Sequence, residues 1–265
     1  MTMQDFKTDT LFLQRIEELA DRCRTRFGPE FTHFLDGRNL KLANDCLKKF
    51  SGDVISVPFG GFKDAERVVI GVFPKDVYGY DAVDESELCA MFDLCAVKIQ
   101  GSGFGVFTHR DCMGSVLALG VKREALGDIY VTEDGKCAYM CLTKVAAEYI
   151  CKNLEFVSRD KVRVSVIDVS DLPVPERRFS VISGTVASER LDCIISLATG
   201  LSRDKSKQLI NSAMVNVNHF EETRCDFQLS VGDILSVRGH GRFKLIELGG
   251  LTKKGRNRVV VHKMI

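Results

Sequence analysis

Between Arg238 and Arg258 the chain carries seven lysines and arginines: Arg238, Arg242, Lys244, Lys253, Lys254, Arg256 and Arg258. His240 stands among them, and Glu247 is the single opposing acid. Glycines at 239, 241, 249, 250 and 255 separate the cations. Glycine lets a backbone lie close to a phosphate chain, and a guanidinium meets a phosphate through two parallel hydrogen bonds. A second basic group, Arg203, Lys205 and Lys207, lies upstream. Positions 203 and 207 share a face if that stretch is helical. The chemistry on offer is anion binding along a polyphosphate backbone. A solvated face that only keeps the chain soluble would carry the same charge.

The charge is unevenly placed. Residues 181–265 hold 13 Lys+Arg against 8 Asp+Glu, and the totals of 37 and 36 leave 24 against 28 for residues 1–180. A net charge of +1 therefore hides a basic end on a slightly acidic body. A local positive excess on a small domain is the electrostatic footprint of nucleic-acid binding.

Other clusters could imitate active sites. Gly101-Ser102-Gly103-Phe104-Gly105 falls between a predicted strand and a predicted helix but lacks the G-x-G-x-x-G spacing, so a tight turn is expected. His109-Arg110-Asp111 gathers a base, a cation and a carboxylate at a helix start. Asp111 is accounted for by capping and the helix dipole, leaving His109 and Arg110 suited to an anion. Arg190-Leu191-Asp192 followed by Thr199-Gly200-Leu201 resembles the catalytic R-L-D-x-x-T-x-G-L of pseudouridine synthases, at a longer spacing and without their catalytic-domain sequence. Helical phase makes Asp192 a cap or salt-bridge partner instead. The ten cysteines are scattered with no C-x-x-C and read as small buried hydrophobes. No catalytic residues, no cofactor and no metal site are expected.

These groups must be positioned by local structure. Leu191, Ile194, Ile195 and Ala198 predict a helix that Gly200 ends in a left-handed cap. Ser202 caps a second helix that buries Leu209, Ile210 and Ala213. Val215–Asn218 and Ile234–Arg238 read as strands, with a turn at Val231-Gly232-Asp233. Near the N-terminus, Phe12, Ile16, Leu19, Ala20, Cys23 and Phe27 predict a helix stopped at Gly28-Pro29. A second follows from the Asp36 cap, and strands are expected at 54–57 and 67–73. From Leu94 the predicted order is strand, helix capped by Thr108 and Asp111, hairpin 128–142, helix 144–154 with Val145, Tyr149 and Ile150 inward, and strand 162–167. That is the ferredoxin-like β-α-β-β-α-β unit, without the aromatic string of the commonest RNA-recognition module. The expected class is α+β: a mainly helical region at 1–65, a ferredoxin-like domain at 66–170, a proline-bearing linker at 171–180 and a basic domain at 181–265. No apolar run approaches the ~20 residues of a membrane span and no signal peptide opens the chain, so a cytoplasmic protein is expected.

The run R-L-D…L-S-R-D-K-S-K-Q-L-I…V-N-V-N…V-G-D-I-L-S-V-R-G resembles the S-four RNA-binding domain. The resemblance implies RNA contacts at Arg190, Arg203, Lys205, Lys207, Asn218 and Arg238, continued by His240, Arg242, Lys253, Lys254, Arg256 and Arg258. The stretch F-T-H-R-D-C-M-G-S-V-L-A-L-G-V-K-R-E-A-L-G-D-I-Y-V at 107–131, with R-G-H-G-R-F and T-K-K-G-R downstream, is similar to the bacterial YlmH family. Gly37 stands where that family's pattern has proline. Membership implies a non-enzymatic protein that binds ribosomal RNA of the large subunit and tRNA or peptidyl-tRNA in ribosome-associated quality control of stalled nascent chains. His109, Arg110, Lys122 and Arg123 would form a second contact surface. The family is encoded near cell-division genes. Two alternatives stand beside this reading: an RNA-modifying enzyme, of pseudouridine synthase or methyltransferase type, guided by the S-four domain, and a cell-division accessory protein.

Overall fold

The structure, a computed structural model, describes residues 3–79, 84–173, 178–252 and 255–264. The chain divides at 175/176 into two compact units.

The first unit opens with α1 (Met3–Arg26), whose Ile16, Leu19, Ala20 and Cys23 are buried at helical spacing. Phe27 leaves the helix at a φ of +52°, just ahead of Gly28-Pro29. β1 (Glu30–Phe31) leads to α2 (Gly37–Leu47), which the Asp36 carboxylate caps by accepting from the Asn39 N–H at 3.0 Å. β2 (Val54–Phe59) and β3 (Val69–Pro74) form a hairpin, and β1 adds to β3 in an antiparallel sheet of order β1-β3-β2. The division expected at 65/66 cuts through this hairpin: β3 belongs with the N-terminal elements, because all six of its residues are buried between α1 and the next layer.

Two short helices, α3 (Lys75–Tyr78) and α4 (Glu85–Ala90), lead to β4 (Leu94–Gly101). The remaining elements are α5 (His109–Ala118), β5 (Leu126–Val131), β6 (Cys137–Thr143), α6 (Lys144–Asn153), β7 (Phe156–Val157) and β8 (Asp160–Ile167). They build an antiparallel sheet of order β5-β6-β4-β8-β7. Without the β7 edge, the order is second-third-first-fourth, the ferredoxin-like arrangement. One face packs on α5 and α6 through Val97, Ile99, Met140, Leu142, Val116 and Ile150. The Thr108–Asp111 capping box is formed in both directions. α6 is turned from its expected phase: Ala146, Ala147 and Ile150 face inward, while Val145 and Tyr149 are exposed. The Tyr149 hydroxyl donates to the Leu119 carbonyl at the end of α5, so this ring lies over the helix layer rather than in the core.

The second unit contains β9 (Phe179–Val186), α7 (Leu191–Thr199), α8 (Arg203–Asn211), β10 (Val215–Val217), β11 (Phe220–Glu221), β12 (Ile234–Val237), β13 (Gly241–Leu251) and β14 (Asn257–Met264). The strands form one antiparallel sheet, β11-β10-β12-β13-β14-β9. Of the expected linker, Val174–Arg177 lie outside the described residues, Val169–Asp171 form a 3-10 turn, and Phe179 already starts β9. α7 buries Leu191, Ile194, Ile195 and Ala198 on the sheet, and Leu197 sits over Gly184, where any side chain would collide with it. Gly200 ends α7 at a φ of +73°. Ser202 caps α8, which buries Ser206 and Ile210. Ala213, expected to be buried, is exposed at a φ of +56° in the turn that closes α8.

Candidate nucleic-acid interface

α7 begins without a side-chain cap. Its first two N–H groups, on Leu191 and Asp192, donate instead to the carbonyls of Phe227 and Cys225 at 2.8 and 3.1 Å. This anchors the helix start and carries Asp192 fully inside the fold. A buried carboxylate is costly unless it is paired and hydrogen-bonded. Asp192 accepts from Arg203 Nε at 2.9 Å on one oxygen and from Arg190 Nε at 3.2 Å on the other. Burial pushes its pKa up, but the hydrogen bonds from Arg203 and then Arg190 outweigh it, and the carboxyl titrates below its ordinary range. Arg203 is correspondingly raised, chiefly by the bond to Asp192. Two cations from different elements are thus tied to one internal charge, with the arginine side chains still a third to a half exposed. As a nucleophile Asp192 is unsuited, since it has no exposed surface and both oxygens are occupied.

Lys205 is exposed on α8, and Lys207 is half-buried one turn beyond Arg203. Arg238 is exposed just past β12, its guanidinium 3.8 Å from the Met214 sulfur at the end of α8. His240 lies in the following turn. Arg190, Arg203, Lys205, Lys207 and Arg238 therefore belong to the α7–α8 elements and the strand end beside them.

The rest of the predicted set divides. Lys244 pairs with His262 and Arg258 with Thr185, and directly opposed residues share a sheet face. By strand alternation Arg242, Lys244, His262 and Arg258 line one face, while Phe243, Leu245, Val259 and Val261 are buried on the face that α7 covers. Arg242 and Arg258 thus lie across the sheet from α8. Arg256 is tied down: its guanidinium donates to Thr185 Oγ1 at 3.0 Å and to the Thr185 carbonyl at 2.7 Å. Lys253 and Lys254 lie outside the described residues.

Asn218 is engaged within the fold. With His219 it makes the two-residue β10–β11 turn, both at positive φ, where asparagine is favoured. Its amide donates to Asp233 at 2.7 Å, and its oxygen accepts from the Ile234 N–H at 3.0 Å. Its hydrogen-bonding groups hold two turns together.

In the first unit, His109 and Arg110 start α5, whereas Lys122 and Arg123 follow its end. Ten helical residues put about 15 Å between the two pairs, so the expected second surface is two separate basic spots. The Gly101–Gly105 loop is not a phosphate cradle. Asp160 accepts from the Ser102 N–H at 3.0 Å and from the Ser102 hydroxyl, and Gly101 and Gly105 lie directly against it. A carboxylate occupies the place an anion would need.

Four thiols are buried deeply enough to act as packing groups. Burial pushes Cys23 and Cys95 up to about 11 and Cys112 and Cys141 up to about 12, so these stay protonated and serve as packing groups. Among the described residues no cluster of His, Cys, Asp and Glu could hold a metal ion, and no helix is long and apolar enough to cross a membrane.

Residues 90–171, which span β4 to β8, match the family model described as "Putative RNA-binding domain in YlmH". Over 258 residues the chain is 28% identical to a Bacillus subtilis (strain 168) protein named ribosome-associated protein quality control protein P2, covering 97% of this chain and 96% of that one. The chain therefore carries a YlmH-type RNA-binding domain at 90–171. A solved structure of the cell division protein YlmH from Streptococcus pneumoniae has the same fold, at a TM-score of 0.50 and 19% identity over 64% of this chain and 95% of that one. In this chain, α7, α8 and the basic strands follow the ferredoxin-like sheet. Asp192 is a salt-bridge partner, as its helical phase suggests, and its second partner, Arg203, reaches it only when α7 and α8 pack.

Proposed function

We propose that this protein binds RNA through the α7–α8 corner of its C-terminal unit and acts, without chemistry of its own, in ribosome-associated quality control in the cytoplasm. Ribosomal RNA of the large subunit and a neighbouring tRNA are its partners in this reading. The observation that carries it is the Asp192 clamp. By holding Arg190 and Arg203 at fixed positions beside Lys205 and Lys207, it lowers the ordering cost of meeting a phosphate backbone of set geometry. A protein that only needed solubility would not bury a charge to orient two arginines. The name of the Bacillus subtilis relative, similar over nearly the full chain, supports the ribosomal setting.

The face formed by Arg242, Lys244 and Arg258 would extend the contact to a second RNA segment or a second strand of the same junction. Two contacts on one particle raise the effective concentration of the second once the first is made. The test is co-sedimentation of the purified protein with large ribosomal subunits, empty or carrying peptidyl-tRNA. Tighter binding to the tRNA-bearing particle is expected. Absence of binding to both would overturn the ribosomal reading.

A further inference from the structure

The ferredoxin-like sheet has one face packed on α5 and α6 and another that the N-terminal elements cover only in part. The strand register defines rows across that second face. Cys141, Ala96 and Ile167 form one row, packed with Phe34, Val57 and Leu172. The next row is Tyr130, Tyr139, Lys98 and Ser165, one residue from each of β5, β6, β4 and β8. Beyond it stand Cys137, Gln100 and Arg163. None of these seven residues is buried, and Arg163 and Ser165 are exposed.

The open rows have the chemistry of a base-stacking platform. The Tyr130 and Tyr139 rings are stacked at 6.3 Å and 24°, and Lys98 Nζ lies 6.0 Å over the Tyr139 ring. Neither phenol hydroxyl has a hydrogen-bond partner among the described residues, so the rings are not held there by a buried polar bond. Tyr139 leans on the apolar cluster beneath the N-terminal sheet, which fixes its orientation. Lys98 and Arg163 supply positive charge, while the nearby Asp160 and Asp134 carboxylates are engaged by Ser102 and by Thr132 and Lys136. Just past the end of β4, the loop pinned by Asp160 carries Phe104 with its whole side chain in solvent.

We infer that this half-face, Tyr130, Tyr139, Lys98 and Arg163 with Phe104 at its rim, binds unpaired bases of single-stranded RNA. Aromatic rings stack sequence-tolerantly on nucleobases, and lysine and arginine take the phosphates between them. With strands ~4.8 Å apart the row extends ~14 Å, room for about two or three bases. The missing aromatic string is replaced by rings from two different strands, Tyr130 and Tyr139. The inference rests on the RNA-binding reading above but uses none of the residues of the α7–α8 corner.

The test uses the full chain with Arg203→Ala and Lys207→Ala, so that the C-terminal contact is weakened throughout. Binding of an end-labelled oligouridylate is followed by fluorescence anisotropy, with a hairpin RNA as comparison. Replacing Tyr130 and Tyr139 by Leu should weaken oligouridylate binding by about tenfold or more, and replacing both by Phe should preserve it. Lys98→Gln should lower the salt slope by about one. Should the Leu pair unfold by circular dichroism, Lys98→Gln with Arg163→Gln carries the test, with loss of oligouridylate binding expected. The inference is overturned by no oligouridylate binding in the parent, by unchanged binding in the Leu pair, or by an equal loss in the Phe pair. A tyrosine-dependent dimer in sedimentation, without oligouridylate binding, would also overturn it and make the face a self-association surface. Failure of the α7–α8 reading shows separately, as unchanged binding of large subunits when Arg203 and Lys207 are replaced in the otherwise native chain.

Discussion

Replacing Asp192 by Asn keeps the shape of the side chain and removes its charge. The carboxylate has no exposed surface and accepts one hydrogen bond on each oxygen. The amide can still accept one, but its nitrogen then faces an arginine Nε, donor against donor. Bonds to a charged group contribute about 1.5–3 kcal/mol each, and breaking a wholly buried pair costs about 3–5 kcal/mol. The two guanidinium groups keep 34% and 49% of their side-chain surface in water and can rehydrate, and no buried charge is left behind. About 2 kcal/mol is therefore the expected loss. All five tyrosines precede residue 150 and there is no tryptophan, so the C-terminal unit is silent to intrinsic fluorescence. Hydrogen exchange read by mass spectrometry is the suitable assay. Amides of α7 and α8 should exchange about 30-fold faster in the variant, while β4 and β6 stay unchanged. Affinity for large subunits should fall with it, because Arg190 and Arg203 lose their fixed positions. Unchanged exchange in α7 and α8 would refute the idea that this charge organises the corner.

The same clamp carries a pH dependence. Its folded pKa lies below the ordinary 3.8, so protons prefer the unfolded chain. The stabilisation is present above 3.8 and is lost as pH falls through the folded value. Protection of α8, normalised to intrinsic exchange, should drop in that acid range for the native chain and stay flat for Asp192→Asn. Gly200→Ala tests backbone strain alone, since nothing lies near its missing side chain. It should cost about 1–2 kcal/mol through the φ of +73° and raise the exchange of α7's last turn. Arg67 donates to the carbonyls of Leu126 and Arg123 at 2.8 and 2.9 Å, so Arg67→Met should destabilise the first unit by about 2 kcal/mol in urea unfolding followed by tyrosine fluorescence. Cys112 and Cys141 should react with a thiol reagent at about pH 8 only on unfolding, whereas the partly exposed Cys89 and Cys151 react in the folded chain.

Features set by a few neighbouring residues were legible in the sequence. The Thr108–Asp111 box, the Ser202 cap, the Gly200 terminator and the apolar stripe of α7 are local patterns whose outcome needs no distant partner. The β-α-β-β-α-β order followed from the same local periodicities. What failed depended on tertiary packing. α6 turned by part of a helical step because two small alanines fit against the sheet better than Val145 and Tyr149. The S-four resemblance implies an RNA contact at Asn218, whereas its positive φ and its bonds to Asp233 and Ile234 arise only when β10 meets β12 and could not be read from the V-N-V-N run. The basic strip read as one surface because sequence proximity hides strand alternation, which sends Arg242 and Arg258 across the sheet from α8. Tyr130 and Tyr139 gave no signal at all. Their stacking is a consequence of hairpin register, and no spacing within one segment announces it.

If the fixed cations of the α7–α8 corner meet ribosomal RNA, removing two of them must weaken that contact. The deciding measurement is the salt dependence of binding to large ribosomal subunits, compared between the native chain and Arg203→Ala with Lys207→Ala. The variant should bind more weakly, with a log–log salt slope shallower by about two, one for each phosphate contact removed. Equal affinity and an unchanged slope in the variant would contradict it.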